Sequence, residues 1–384
     1  MGAKAPLRRG ASEHARKGRE MSIPGIDSRI ERIKSFDGTL IATACWGEKD
    51  QPTVIFSNGI CCTDTYWTYL QPLLVEAGYR VVFFDYRGHN RSAVPRNPNE
   101  VTLPAHARDL WKVADHYEVD KAVLIGHSMG VQTIFEAYRQ HPGRVTGLVA
   151  LAGPYEYPLD KLYMTPIGAV LLAGLELTWK YSPSAFRTAW EVSGLDSHLL
   201  IALSKLTFAI SRSAPKELVE EYFKHVAALD PILIIKMFRG MQMHSAKDVL
   251  VQCNVPVLQI AGGRDMLTPL PLQRSMASLL PDVRFEVLEK ASHTLPVDEP
   301  KRVNDSILKF LAEVYPKQQA LAEAAPAKNA AKPEAIPSPR AQAKSEARPE
   351  PKSRARTTAS AKTNGIAKSA APRRARTSKA PAAG

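Results

Sequence analysis

Cysteine is scarce in this chain: Cys45, Cys61, Cys62 and Cys253 are the only four in 384 residues. None falls in a zinc-binding spacing, and no His-Glu-x-x-His ligand pair occurs, so no metal site is expected. So few thiols in so large a chain argue against a disulfide scaffold and suit a reducing, cytoplasmic setting. Cys61 and Cys62 are adjacent and are read as small buried thiols. The chain also lacks a glycine-rich phosphate cradle and a dinucleotide fingerprint, and no cofactor is expected. Long apolar runs are missing too. The stretch Met164 to Trp179 is shorter than the ~20 residues that cross a bilayer, and Glu176 interrupts it. No transmembrane segment is therefore expected. The amino terminus is basic but has no apolar core of the kind a secretory signal needs.

Acidic residues are short only at the two ends. Residues 316–384 carry 15 Lys and Arg against 4 Glu, a net +11, and residues 1–20 carry 6 against 2, a net +4. The span 21–315 holds 30 basic and 32 acidic residues, so the basic balance belongs to the ends and not to the body. From Pro316 onward Ala, Pro, Lys, Arg and Ser dominate and bulky apolar residues nearly vanish. Such a segment does not bury enough apolar surface to offset its ordering entropy. Residues 316–384 are therefore expected to form a disordered tail, and 1–29 a flexible basic extension. No aromatic residue interleaves the tail's charges, which argues against base stacking. Its expected partner, beyond plain solubilisation, is nucleic acid or an anionic surface, held non-specifically and in a salt-dependent way.

What the chain does possess is Gly126-His127-Ser128-Met129-Gly130, between the strand-like run Lys121 to Ile125 and the helix-like run Val131 to Gln140. In a strand–turn–helix setting, a G-x-S-x-G pentapeptide places its serine at the tip of a sharp, strained turn. Gly126 and Gly130 remove the side chains that would collide on either side of it. A serine hydroxyl needs a base to take its proton, and an imidazole suits that task. Asp265 follows the apolar run Val255 to Ala261, and His293 lies on a loop after the run Phe285 to Leu288. His293 is assigned as the base and Asp265 as the carboxylate that holds its tautomer. His89, His106, His116, His127, His141, His198, His225 and His244 show no metal-ligand spacing and are read as structural. Asp85, closing the run Arg80 to Phe84, is read as structural as well.

The order Ser128, Asp265, His293 resembles that of the α/β-hydrolases, as do Ser57-Asn58-Gly59-Ile60, the segment Asp85 to Ser92 and Gly263-Arg264-Asp265. The resemblance covers roughly residues 30 to 315. It implies an α/β fold: a mostly parallel sheet flanked by helices, with a helical cap inserted. It also implies an oxyanion hole made of the Met129 and Ile60 backbone N–H groups. Asn58 and Gly59 would support that loop, where many relatives carry His-Gly.

Strand-like and helix-like runs alternate from about Ile30 to Leu151 and resume near Val255, which points independently to a sheet covered by helices. The expected division is a core over 30–154 and 246–315 with a helical cap over 155–245. The apolar runs Ile167 to Leu177, Leu199 to Ile210 and Ile232 to Phe238 are expected to wall off water and line a pocket, with Trp179, Tyr181 and Trp190 as cap aromatics. The function implied is hydrolysis of a small-molecule carboxylic ester or thioester through a Ser128 acyl-enzyme. Perhydrolase (cofactor-free haloperoxidase), acyltransferase and carbon–carbon bond hydrolase chemistry on the same residues stays open, because fold does not set the fate of the acyl group. So does a protein that tethers to polyanions with the hydrolase body as scaffold.

Overall fold

Among the residues that the computed structural model describes, 26–193 and 214–316, eight strands form one sheet. They are β1 (Glu31–Lys34), β2 (Leu40–Trp46), β3 (Thr53–Ser57), β4 (Arg80–Phe84), β5 (Ala122–His127), β6 (Val145–Leu151), β7 (Val257–Gly262) and β8 (Val283–Leu288). The spatial order is β1-β2-β4-β3-β5-β6-β7-β8. The first two pairings are antiparallel and the rest parallel. Almost all of the expected amino-terminal extension, part of the expected cap and nearly all of the expected tail lie outside the described residues.

The inner strands β3, β4, β5 and β7 are buried along their whole length because helices cover both faces. In β5, Ala122 and Leu124 join one core, while Val123 and Ile125 join the other. The first core is closed by α2 (Leu103–His116) and α3 (Met129–Gln140), the second by α1 (Gln71–Glu76) and by the last two described helices. Thr102 starts α2 by accepting the Ala105 amide at 3.3 Å, with a proline in the first turn. The chain leaves β3 for β4 on one side and returns to β5 on the other. Loops following β3 and β5 therefore diverge at the carboxyl ends of these neighbours, the place where open α/β sheets open a crevice.

Between β6 and β7 lie helices α4 (Ile167–Tyr181), α5 (Pro183–Ser193), α6 (Lys216–Ala228), α7 (Pro231–Met243) and α8 (Lys247–Leu250). An isolated bridge pairs Glu156 with Ser245 at the base of this insertion. Its return is also bound to α3: Gln132 donates to the Met241 carbonyl at 2.9 Å and Arg139 to the Ser245 carbonyl at 2.8 Å. One expectation fails here. In α4 only Gly168 and Leu172 are buried, whereas Ile167, Val170, Leu171, Leu175 and Leu177 are exposed, and Tyr181 is 73% exposed. Composition alone does not say which way an apolar helix turns its surface. Three more helices follow among the described residues: α9 (Leu270–Leu279), α10 (Leu295–Asp298) and α11 (Pro300–Val314).

The loop after β4 is held by a buried ion cluster. Arg87 is fully buried and donates to both Asp109 oxygens, at 2.7 and 2.6 Å, and to Asp37 at 2.9 Å. Asp109 belongs to α2 and Asp37 to the turn between β1 and β2, so one guanidinium joins three parts of the fold. Asp85, as expected, is structural: it accepts from Arg91 at 2.7 Å, and Arg91 also reaches Asp64 at 2.9 Å. Asp109→Ala leaves the Arg87 charge buried and half-partnered. The expected loss is about 3–5 kcal/mol of unfolding free energy, measured from the urea midpoint at unchanged slope.

Candidate active site

Ser128 sits between β5 and α3 with φ 54° and ψ −120°, a conformation that costs an L-residue energy and persists only where its surroundings hold it. Its amide donates to the Leu151 carbonyl at 3.0 Å, and its carbonyl accepts from Val131 at 2.9 Å. The flanking glycines are needed for space, since the strain falls on Ser128 itself. A Cβ on Gly126 would lie 2.4 Å from the Gly130 carbonyl oxygen, and one on Gly130 would lie 2.1 Å from that of Ser57.

His293 and Asp265 meet Ser128 from separate loops. His293 Nε2 lies 2.9 Å from Ser128 Oγ, and His293 Nδ1 lies 2.9 Å from Asp265 Oδ2. All three are buried, with 7%, 7% and 3% of Ser128, His293 and Asp265 exposed. Because a carboxylate only accepts, Nδ1 carries the proton in the neutral ring and Nε2 presents its lone pair to the serine hydroxyl. Asp265 also accepts from the Leu267 and Thr268 amides at 2.8 and 2.9 Å and from the Thr268 hydroxyl at 2.7 Å. Gly262 and Gly263 let the two loops touch: a Cβ on Gly262 would lie 2.4 Å from the Ser292 carbonyl oxygen.

The loop after β3 faces the serine. A Cβ on Gly59 would stand 3.2 Å from that of Ser128, so the backbone approaches closely there. The Cys61 amide donates to His89 Nε2 at 3.3 Å and the Cys62 amide to the Gly59 carbonyl at 3.2 Å. Among the described residues, neither the Ile60 nor the Met129 amide has an acceptor of its own. The Met129 amide also opens the first turn of α3, where the helix dipole favours negative charge. Asn58 braces the loop from both ends: its side-chain oxygen accepts from Trp67 Nε1 at 2.5 Å, and its carbonyl accepts from the Tyr86 hydroxyl at 2.8 Å. Trp67 in turn stacks on Phe56, with ring centroids 4.4 Å apart. Burial pushes the Cys62 thiol up to about 12 and raises that of Cys61 as well, so neither supplies a thiolate near neutral pH.

Thr268, Trp67, Tyr86 and His127 are site residues that sequence reasoning passes over. Only Thr268 carries a local signal, a hydroxyl three positions after an aspartate in a turn. His127, read from sequence as structural, lies against the site: Nε2 is 3.0 Å from the His293 carbonyl oxygen, and the two rings are 5.1 Å apart.

A family model described as the alpha/beta hydrolase fold matches residues 52–168. The chain has the α/β-hydrolase fold: its sheet, helices and elbow are those of that fold. Among curated proteins, Protein ABHD8 of Bos taurus is 24% identical over 305 residues, 78% of this chain and 65% of that protein. The chain thus spans slightly less than two thirds of the length of this relative. Epoxide hydrolase B of Mycobacterium tuberculosis is 31% identical over 130 residues, 33% of this chain and 36% of that protein. Among solved structures, a thermophilic esterase from Thermogutta terrifontis superposes with a TM-score of 0.60 at 23% identity, covering 74% of this chain and 99% of that one. That last likeness is one of fold alone.

Proposed function

We propose that the protein is a serine hydrolase of carboxylic esters or thioesters that works through an acyl-enzyme on Ser128. The observation that carries this reading is the unbroken run of hydrogen bonds from Ser128 Oγ through His293 to Asp265. As Oγ bonds to the acyl carbon, its proton passes to His293 Nε2, and Asp265 stabilises the imidazolium. The carbonyl oxygen becomes an oxyanion and accepts from the Met129 and Ile60 amides, which have no other acceptor among the described residues. The carbon–oxygen or carbon–sulfur bond then breaks, and the departing alcohol or thiol takes the proton from Nε2. A water molecule, deprotonated by the same nitrogen, attacks the acyl carbon and frees Ser128.

Helices α4 to α7 act in this proposal as a cap. Leu229 and Ile234 pack with Cys61, and Ile60, Trp190 and Tyr222 adjoin them, so apolar side chains of the insertion meet the loop after β3. An apolar acyl group suits such walls. Epoxide opening fits the chain less well, despite the partial match to an epoxide hydrolase. Attack by Ser128 Oγ would leave an ether, which water does not cleave, whereas attack on an ester leaves an ester.

The test is a series of p-nitrophenyl esters of rising acyl length, together with a fluorophosphonate probe. Turnover with a maximum at one chain length and a probe adduct on the peptide holding Ser128 are expected. A protein that neither hydrolyses any of the esters nor takes up the probe is not a serine hydrolase.

A further inference from the structure

His127 stands at the end of β5, fully buried, immediately before Ser128. Its ring has three neighbours that matter. Nε2 lies 3.0 Å from the main-chain oxygen of His293. A carbonyl oxygen only accepts, so Nε2 is the protonated nitrogen and donates to it. The ring also meets Tyr66 at 4.5 Å between centroids and His293 at 5.1 Å. Its Nδ1 edge rests on the loop after β3, where a Cβ on Gly59 would come within 3.1 Å of it. One side chain therefore touches the backbone of the base and the loop bearing Ile60, and is covalently adjacent to the nucleophile.

We infer that His127 is a positioning residue, whose hydrogen bond to the His293 carbonyl sets the distance between Ser128 Oγ and His293 Nε2. The inference rests on the serine-hydrolase reading above. His293 belongs to a loop, and Asp265 holds only its side chain. The His127 bond ties the main chain of that loop to the central strand. Donation from Nε2 requires a ring that keeps this proton while His293 gains and loses its own. His127 meets the requirement: Nδ1 is buried with no partner among the described residues, and burial, aided by the charge that His293 acquires, pushes the ring down to about 3. A cation 5.1 Å from the His293 ring would oppose formation of the imidazolium. The neutral ring braces the base without competing with it.

Four proteins test this: wild type, Ser128→Ala, His127→Phe and His127→Gln, each assayed on a p-nitrophenyl ester and for its rate of fluorophosphonate uptake. Phenylalanine keeps the ring contacts and loses the donor; glutamine supplies an amide N–H at similar reach. His127→Phe is expected to lower kcat and probe uptake together by about 10- to 100-fold with KM unchanged, the scale of a misplaced catalytic group. His127→Gln is expected to recover most of that loss. Wild-type rates in His127→Phe, or an equal loss in both variants, would overturn the positioning role while leaving the hydrolase reading intact. Full activity in Ser128→Ala would overturn both. If His127→Phe does not fold, His127→Asn replaces it: its amide is too short to reach the carbonyl, and activity equal to that of His127→Gln would overturn the inference.

Discussion

Replacing Ser128 with alanine is expected to lower kcat/KM on an activated ester by about 10⁴- to 10⁶-fold, and adding His293→Ala to that variant to cost almost nothing more. In the proposed mechanism the two act as one device. His293 Nε2 lies 2.9 Å from Ser128 Oγ and has no proton to take once the hydroxyl is gone. In the proposed mechanism, what remains is the rate a polarised ester gains from the Met129 and Ile60 amides and from binding. Asp265→Asn should be milder than either, because a side-chain amide can donate to His293 Nδ1 and so favours the wrong tautomer without emptying the site. The double variant is the informative one. Losses that multiply would mean that Ser128 and His293 contribute separately and that the hydrogen bond between them is not the route of the proton. Alanine at 128 is also relieved of no strain by losing its oxygen, since φ 54° is set by the backbone, so stability should hardly change.

This site is legible in the sequence wherever a residue's task is set by its immediate neighbours. Gly126 and Gly130 exist because a carbonyl oxygen would otherwise sit 2.1 to 2.4 Å from a Cβ, and that collision is local to one turn. Asp265 and His293 are legible because each follows a strand, and parallel strands deliver their following loops to one edge of a sheet. The end of β5 is less legible. It runs two residues past Ile125, through Gly126 and His127, because β6 continues to pair with it as far as Leu151. Least legible are contacts between distant parts. Nothing near His127 announces a bond to a carbonyl 166 residues away, and nothing near Asn58 announces that Trp67 and Tyr86 will hold its loop. The same limit applies to α4, whose apolar residues are expected to line a pocket and are mostly exposed. A helix apolar on every side gives no sign of which side packs.

Acid is expected to unfold the protein well before its carboxylates titrate. His89, His106 and His127 are 2%, 0% and 0% exposed. Burial comes first among the causes that push His89 and His127 down to about 3, and it pushes His106 well below its ordinary value too. In the unfolded chain each returns to about 6.5. Between these values the unfolded state binds protons that the folded state refuses, so stability rises with pH across that window. The full contribution is present above about pH 6.5 and is lost as the pH falls, at about 1.4 kcal/mol per unit for each ring and about 4 kcal/mol per unit for the three together. Against a total stability of about 5–15 kcal/mol, two such units are decisive. Urea midpoints should therefore hold steady from pH 8 to 7 and drop steeply from pH 6 to 5. His106 supplies the control. Neither of its ring nitrogens has a partner among the described residues, and the ring packs on Tyr86 at 4.5 Å, a contact that phenylalanine keeps. His106→Phe should make the decline with pH about one third shallower. A midpoint that does not move between pH 7 and 5 would mean that these rings accept protons in the folded state, and that the interior around the elbow is open to water.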